Sequence, residues 1–306
     1  MEMKMNGNRN STVFAGIVLT ALLGCAPPIF AQYGGGGGMK QQPMPQQQQQ
    51  QQQQSPQQQQ QQQPIQGSQP PPAEAPKVDP EEEAAYKAFY DSKSGPSDQV
   101  VKSGEAFVQK YPTSQHTEGV YSVLTQAYFN AQNYDKMQAA ADKALTLNPD
   151  DVNVLVLIGW FIPHNYNPED LDAERRLERA EKYETHALAV LVSLSKPAGI
   201  TDEQFQTTKT ELTSQAHSGL GLIYFRRQQY DNSVKELQQA TQIGTRPDPV
   251  DYYVMGVELK QLNRPADAAD AFQKCGNIAG GLQGRCKQMA DESKKNAAAQ
   301  PATAKP

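Results

Sequence analysis

Large apolar side chains recur with helical spacing in the middle of the chain. Tyr121, Leu124 and Tyr128 stand at i, i+3 and i+7, so they lie in one stripe along a single helix. After a short polar interval, Ala141 and Ala144 again share one helical face. The pattern predicts two helices joined by a turn, with their apolar faces in contact.

The same order of residues returns further along the chain. Thr125 and Gly159 are 34 positions apart, and Gly221 and Gly256 are 35 positions apart. A small residue at this position lets a second helix approach closely, and each hairpin leaves apolar faces that only the next hairpin can cover. Several stacked copies are therefore predicted. The corresponding positions are Leu155, Ile158, Gly159 and Ile162, then Leu220, Gly221 and Tyr224, then Met255, Gly256 and Leu259.

These residues resemble the tetratricopeptide repeat, whose pattern is W-x2-L-G-x2-Y followed by A-x3-F and a closing Pro. The resemblance covers about residues 81–289 and implies an all-α fold, a right-handed solenoid of stacked helical hairpins with four or five repeats. We assign this helical domain to residues 79–293. The chain is similar to secreted or envelope-associated bacterial proteins of this kind.

Several segments depart from the regular repeat. The unit Glu81–Pro112 has Lys87 where an apolar residue belongs, so an atypical cap is expected there. Extra residues are predicted around His164–Asp172. A further linker occupies Ser195–Gln215, with a capped helix starting at Thr201.

Two charged runs and one histidine are expected to have structural roles. The acidic run Asp79–Glu83 is predicted to start a helix, where carboxylates favour the positive end of the dipole. The mixed run Asp170–Glu184 predicts a solvated helix face with weak ion pairs. His217 occupies the aromatic position of its repeat, so we expect it to pack in the core with a satisfied ring nitrogen.

The first residues have the features of an export signal. Lys4 and Arg9 precede an apolar run, Val13–Leu23, of the length expected for a signal core. That run is too short to span a bilayer, which needs about 20 apolar residues. The protein is therefore predicted to act outside the cytoplasm, in the periplasm or secreted.

Two processing routes remain open. Cleavage after Ala31, which we favour, makes residues 1–31 a signal peptide. Alternatively, Leu22-Leu23-Gly24-Cys25 resembles a bacterial lipobox, in which residues 1–24 are removed and Cys25 is acylated. The second route would anchor the protein to a membrane through lipid, the one membrane contact expected of it.

Low-complexity sequence follows the signal. Residues 32–78 are rich in Gly, Gln and Pro and bury too little apolar area to offset chain ordering, so a disordered arm is predicted. We interpret it as a spacer, with Gln-rich self-association as the alternative. Residues 294–306 are predicted to be a loose tail.

Composition narrows the functional classes. The 306 residues are 37% hydrophobic and 8% aromatic, with a mean hydropathy of -0.70. The net charge is -5. Such a chain gives no sign of the clustered Lys and Arg side chains that bind phosphates, so no nucleic acid partner is expected. In an oxidising compartment the pair Cys275 and Cys286 is predicted to form a disulfide, with two small buried thiols as the alternative.

No catalytic motif stands out. The histidines His116, His164, His186 and His217 are scattered, and none belongs to H-E-x-x-H or to a Cys and His metal cluster. The five-glycine run lies in the arm, without the strand and helix of a nucleotide site. We therefore predict no enzyme, no metal site and no cofactor. The alternative is an enzyme or cell-envelope processing factor in which the repeats position a site that the sequence does not display.

The resemblance implies where a partner would bind. In proteins with this repeat, the first helix of each hairpin lines an inner wall that commonly holds an extended peptide or a partner helix. A non-enzymatic extracytoplasmic scaffold for protein–protein interaction is thus expected, with self-association also open. Trp160 and Phe225 have a plainer alternative role, filling gaps between irregular hairpins. The expected groove residues are Gln126, Phe129, Asn130, Trp160, Leu222, Phe225, Arg226, Tyr253 and Lys260.

Overall fold

The computed structural model describes residues 79–299. The predicted signal peptide, the predicted arm, Cys25 and residues 300–306 lie outside this range. Within it the chain forms eleven helices and no strand, so the all-α prediction is confirmed. In chain order the helices are α1 (Pro80–Ser92), α2 (Ser97–Lys110), α3 (Thr117–Asn130), α4 (Tyr134–Leu147), α5 (Val152–His164), α6 (Ala173–Ser193), α7 (Asp202–Arg226), α8 (Tyr230–Ile243), α9 (Pro249–Gln261), α10 (Pro265–Asn277) and α11 (Gln283–Ala299).

Polar side chains fix where helices begin. The Asp79 carboxylate accepts a hydrogen bond from the Glu81 amide at 2.9 Å. The Thr201 hydroxyl accepts from the Gln204 amide at 3.1 Å, and the Gln204 side chain accepts from the Thr201 amide at 3.0 Å, a reciprocal capping box. The two helix starts predicted from the sequence, at Asp79 and Thr201, are confirmed.

Consecutive helices pair into hairpins that stack on one another. α1 packs on α2, α3 on α4, α5 on α6, α7 on α8 and α9 on α10, and α11 covers α10. The described residues thus hold five hairpins and a final helix. The first helices also touch in sequence, α3 with α5, α5 with α7 and α7 with α9, so they form a continuous wall.

Three hairpin turns share one backbone conformation. Gln132, Gln228 and Asn263 have φ angles of 57°, 59° and 56°, in the left-handed region that non-glycine residues seldom adopt. In each case the next amide donates to a carbonyl five residues earlier in the first helix, which closes that helix at the same point. The donor and acceptor pairs are Asn133 N with Tyr128 O, Gln229 N with Tyr224 O, and Arg264 N with Leu259 O.

Glycine at the repeated small position allows close helix contact, as the sequence predicted. A Cβ atom on Gly256 of α9 would lie 2.7 Å from the Phe272 ring of α10. A Cβ atom on Gly221 of α7 would lie 2.5 Å from the Leu237 side chain of α8. Any larger residue would separate the two helices of the hairpin.

α5 lies at the centre of the stack. Its Leu155 and Val156 are buried in an apolar cluster with Leu191 of α6 and Leu212 of α7. α7 is 25 residues long, and its additional first half supplies Leu212 to this cluster. The predicted linker and extended helix therefore enclose α5 on a side that a regular repeat would leave open.

The C-terminal end differs from the prediction in one respect. α11 continues to Ala299, so residues 294–299 are helical and not part of a loose tail. Ala and Lys are good helix formers, and Ser293 just before them is fully buried. Cys275 of α10 and Cys286 of α11 form a disulfide with their Cα atoms 5.7 Å apart, which links these two helices.

Candidate functional site

The first helices α3, α5, α7 and α9 present a surface that we call the first-helix wall. Eight of the nine expected groove residues define it: Gln126, Phe129, Asn130, Trp160, Phe225, Arg226, Tyr253 and Lys260. Leu222 is only 2% exposed and packs in an apolar cluster with Leu237 and Val254. The prediction that it lines an open groove is therefore wrong. Side chains of α8 and α9 cover Leu222, so it does not contribute to the wall.

Aromatic rings connect the hairpins along one half of the wall. The Phe129 ring of α3 meets the Trp160 ring of α5 edge to face, with centroids 6.2 Å apart. Trp160 in turn lies against the ring of His164, with centroids 3.8 Å apart. All three side chains are partly exposed. Edge-to-face contacts hold each ring in one orientation while leaving part of it open to a ligand.

His164 carries a buried, unpartnered ring nitrogen. Its Nδ1 lies 2.7 Å from the Trp160 carbonyl oxygen, and since a carbonyl can only accept, Nδ1 donates. Nε2 is buried and has no hydrogen-bond partner among the described residues. Burial lowers the pKa of His164, and the nearby charge of Arg226 lowers it further, against the opposite effects of the Trp160 carbonyl and of Asp248. The neutral imidazole is therefore favoured.

Arg226 ends α7 and extends the aromatic row to the next hairpin. Its Nε donates to the Pro163 carbonyl at 3.0 Å. Its guanidinium carbon lies 5.5 Å from the centre of the Tyr166 ring and 5.6 Å from that of Phe225. Tyr166 belongs to the residues that the sequence marked as extra, between α5 and α6. This insertion thus holds the guanidinium in place through a cation–π contact.

The remaining wall residues are placed apart from this cluster. Gln126 and Asn130 lie on α3, where the Gln126 amide donates to Asn130 at 2.9 Å. On α9 the Tyr253 hydroxyl accepts from Arg285 of α11 at 2.8 Å. Lys260 is partly exposed near the end of α9. The structure therefore brings Phe129, Trp160 and His164 into one row, which Arg226 adjoins through the Pro163 carbonyl. Phe225 packs instead with the apolar cluster that contains Tyr253, and Lys260 lies near the end of α9.

Sequence reasoning missed three carboxyl groups on residues that are at most 2% exposed. Glu184, at the end of a charged run predicted to be solvated, is 0% exposed, and neither carboxyl oxygen has a partner among the described residues. Glu258 is likewise 0% exposed, and burial raises its pKa to about 8. Asp251 accepts from the Ser218 hydroxyl at 2.7 Å, and burial raises its pKa well above the ordinary value. No pattern of residue types marks these positions, because each lies in a helix of mixed polarity.

The other charged segments agree better with expectation. Glu174 and Glu178 of α6 are exposed, and Arg227 pairs with Glu174 at 2.8 Å and with Glu181 at 2.6 Å. His217 is only partly buried, and its Nδ1 lies 2.7 Å from a Glu236 carboxylate oxygen. Its ring nitrogen is therefore satisfied, at the edge of the core.

Two features of common functional sites are not found in residues 79–299. In that range no group of three or more His, Cys, Asp or Glu side chains is arranged to hold a metal ion. Nor does any helix there combine the length and apolar character that crossing a bilayer requires.

One helical hairpin of the chain matches a known sequence family. The family described as tetratricopeptide repeat matches residues 119–151, which contain the Tyr121, Leu124 and Tyr128 stripe. The chain carries a tetratricopeptide repeat. In this tetratricopeptide repeat, α3 and α4 supply buried Leu124, Ala141 and Ala144 at the positions predicted from the spacing. No curated protein matches the chain.

Several solved structures resemble this helical stack at low sequence identity. PilW, a widely conserved type IV pilus biogenesis factor, is 16% identical with a TM-score of 0.45, covering 74% of this chain and 97% of its own. Pseudomonas aeruginosa pilF is 16% identical with a TM-score of 0.47, covering 71% and 87%. A thermophilic tetratricopeptide-repeat protein of Thermus thermophilus is 13% identical with a TM-score of 0.42, covering 71% and 99%.

Proposed function

We propose that this protein is a non-enzymatic scaffold outside the cytoplasm that binds another polypeptide along the first-helix wall. Support comes from the tetratricopeptide-repeat architecture, which presents first helices as a continuous surface. The observation that carries the proposal is the row of partly exposed rings across α3 and α5, at Phe129, Trp160 and His164, which Arg226 of α7 extends. Aromatic and Arg side chains dominate binding hot spots because they bury a large area with few rotors.

The cellular location is part of the same proposal. We place residues 1–31 as the removed signal, with acylated Cys25 as the other route, and residues 32–78 as a spacer that separates the helical domain from its point of attachment. Sequencing of the mature N-terminus distinguishes the routes, since cleavage after Ala31 exposes Gln32. Mature protein recovered from the cytoplasmic fraction with Met1 intact contradicts both routes.

Site-specific photo-crosslinking tests the binding surface. A photoreactive amino acid is introduced at Gln126 or Asn130 on the wall, and, as matched controls, at Lys235 or Gln239 on the exposed face of α8. We expect discrete crosslinked products in the native cells from the wall positions alone. Trp160→Ala should reduce these products without changing the helical circular dichroism spectrum. Equal crosslinking from α8, or products that survive Trp160→Ala unchanged, contradicts binding at the wall.

A further inference from the structure

Arg226 is a partly buried cation that is held in place by uncharged groups. Its Nε donates to the Pro163 carbonyl, and its guanidinium lies over Tyr166 and beside Phe225. The side chain is partly buried, so its charged form has lost part of its hydration, and this burial lowers the pKa of the guanidinium. A desolvated charge is costly unless an opposite charge compensates for it.

The counter-ion is missing from the described part of the chain. No carboxylate of residues 79–299 forms an ion pair with Arg226, whereas its neighbour Arg227 pairs with both Glu174 and Glu181. Arg226 is the last residue of α7 and Arg227 is the C-cap that follows it, so the two side chains leave the helix end in directions about 100° apart. Arg227 points to α6 and stabilises the fold through its two ion pairs. Arg226 points to the wall, and its charge has no ion-pair partner among residues 79–299.

We propose that Arg226 binds the carboxylate of an aspartate or glutamate side chain in the partner polypeptide. This inference rests on the proposed function and names the chemistry of the partner at one point of the wall. A guanidinium offers two parallel N–H donors to a carboxylate, and surrounding rings strengthen such a pair by excluding water. The Phe225 ring, whose centre lies 5.6 Å from the guanidinium carbon, is close enough to receive an apolar side chain next to the acidic residue. The preferred partner segment is therefore acidic with aromatic or aliphatic neighbours.

His164 provides a measure of this charge that does not depend on affinity. The Arg226 charge contributes to the lowered pKa of His164, while Asp248 acts on it in the opposite direction. A carboxylate bound to Arg226 cancels the repulsion from the guanidinium, so the pKa of His164 rises on binding. Trp160 adds an optical signal, because it is the single tryptophan of the sequence and its ring lies against that of His164.

Blocked tripeptides provide defined probes for the full-length protein. Acetyl-Phe-Glu-Phe-amide and acetyl-Phe-Gln-Phe-amide differ only in the charge of the central side chain. Titration followed by Trp160 fluorescence should show at least about tenfold tighter binding of the Glu peptide, equivalent to about 1.4 kcal/mol. NMR should show the pKa of His164 rising with the Glu peptide alone. Equal binding of both peptides, or no response to the Glu peptide at millimolar concentration, overturns the inference.

Variants assign the effect to Arg226. R226Q should abolish the preference for Glu over Gln, and R226K should keep part of it through its charge. K235Q removes the same charge from the exposed face of α8 and should leave the preference unchanged. A preference that persists in R226Q overturns the inference. So does tighter binding of acetyl-Phe-Gln-Phe with a free terminal carboxylate than of the blocked Glu peptide, because the site would then recognise a chain end.

The failure of this inference and the failure of the proposed function give different results. If wall positions crosslink a partner and R226Q changes neither crosslinking nor peptide preference, the wall binds polypeptides without this carboxylate contact. If wall positions crosslink nothing beyond the α8 controls, the proposed function itself fails.

Discussion

The Glu184 carboxyl group of α6 occupies the space that a side chain on Gly159 of α5 would fill. A Cβ atom on Gly159 would lie 2.6 Å from the Glu184 carboxyl carbon. The same carboxyl group also faces Gly219 of α7, where a Cβ atom would overlap it. Two glycines thus make room for one acidic side chain where three helices meet, and burial raises the pKa of Glu184 well above its ordinary value.

Removal of the Glu184 carboxyl group should stabilise the protein. Glu184→Met keeps an unbranched side chain of similar length and eliminates two unpartnered oxygens. We expect a gain of about 1–3 kcal/mol in the free energy of unfolding near neutral pH, measured by urea denaturation. Glu178→Met on the exposed face of α6 is the matched control and should change stability by less than about 0.5 kcal/mol. A loss of stability in Glu184→Met would mean that the carboxyl group has a stabilising partner.

Glu258 should make stability fall as pH rises. Its pKa is about 8 in the fold against an ordinary value of 4.5. Below the ordinary value both states hold the proton and its full contribution is present. Between the two values only the unfolded chain releases the proton, so the free energy of unfolding decreases by up to about 1.4 kcal/mol per pH unit. Above the folded value the loss is complete.

Glu258→Gln should remove this part of the pH dependence. Urea denaturation at about pH 5 and about pH 8 should show a smaller difference for the variant than for the wild type. The contributions of Glu184 and Asp251 have the same sign but remain in both proteins, so they cancel in the comparison. Identical pH profiles would contradict a raised pKa at Glu258.

Gly256, at the repeated small position of the last hairpin, should not tolerate an added methyl group. In Gly256→Ala the new Cβ would meet the Phe272 ring, which is rigid and fully buried. We expect a loss of about 1–3 kcal/mol from overpacking, measured by thermal unfolding. Gly119→Ala in α3 is the control, since nothing lies within 4 Å of its added Cβ. That variant should gain up to about 1 kcal/mol from helix propensity.

The disulfide should stabilise the C-terminal end. Both Cys275 and Cys286 are 0% exposed, and their bond joins α10 to α11. The double variant Cys275→Ala and Cys286→Ala should lose about 2–4 kcal/mol in thermal unfolding. Dithiothreitol should lower the melting temperature of the wild type and leave that of the double variant unchanged. Equal melting temperatures of wild type and variant without reductant would show that the bond does not contribute.

Local sequence patterns predicted the helical hairpins because the interactions that form a hairpin are local in the chain. The i, i+3, i+7 stripe through Tyr121 and Leu124, the capping side chains of Asp79 and Thr201, and glycine at Gly256 each act within one helix or between sequence neighbours. The left-handed turn residues Gln132 and Gln228 were not recognised. Gln carries no strong preference for that conformation, and it is adopted here because each turn must close the preceding helix.

By itself, then, the sequence determined the starts of α1 and α7, the hairpin pairing and the candidate first helices of the wall. Only the tertiary structure decided that Leu222 is buried, that Glu184 lies between two glycines, and that Arg226 faces the wall while Arg227 pairs with α6. The physical reason is that neighbouring residues on a helix point in different directions. Which direction meets solvent, a carboxylate or a packed side chain depends on helices that lie tens of residues away in the chain.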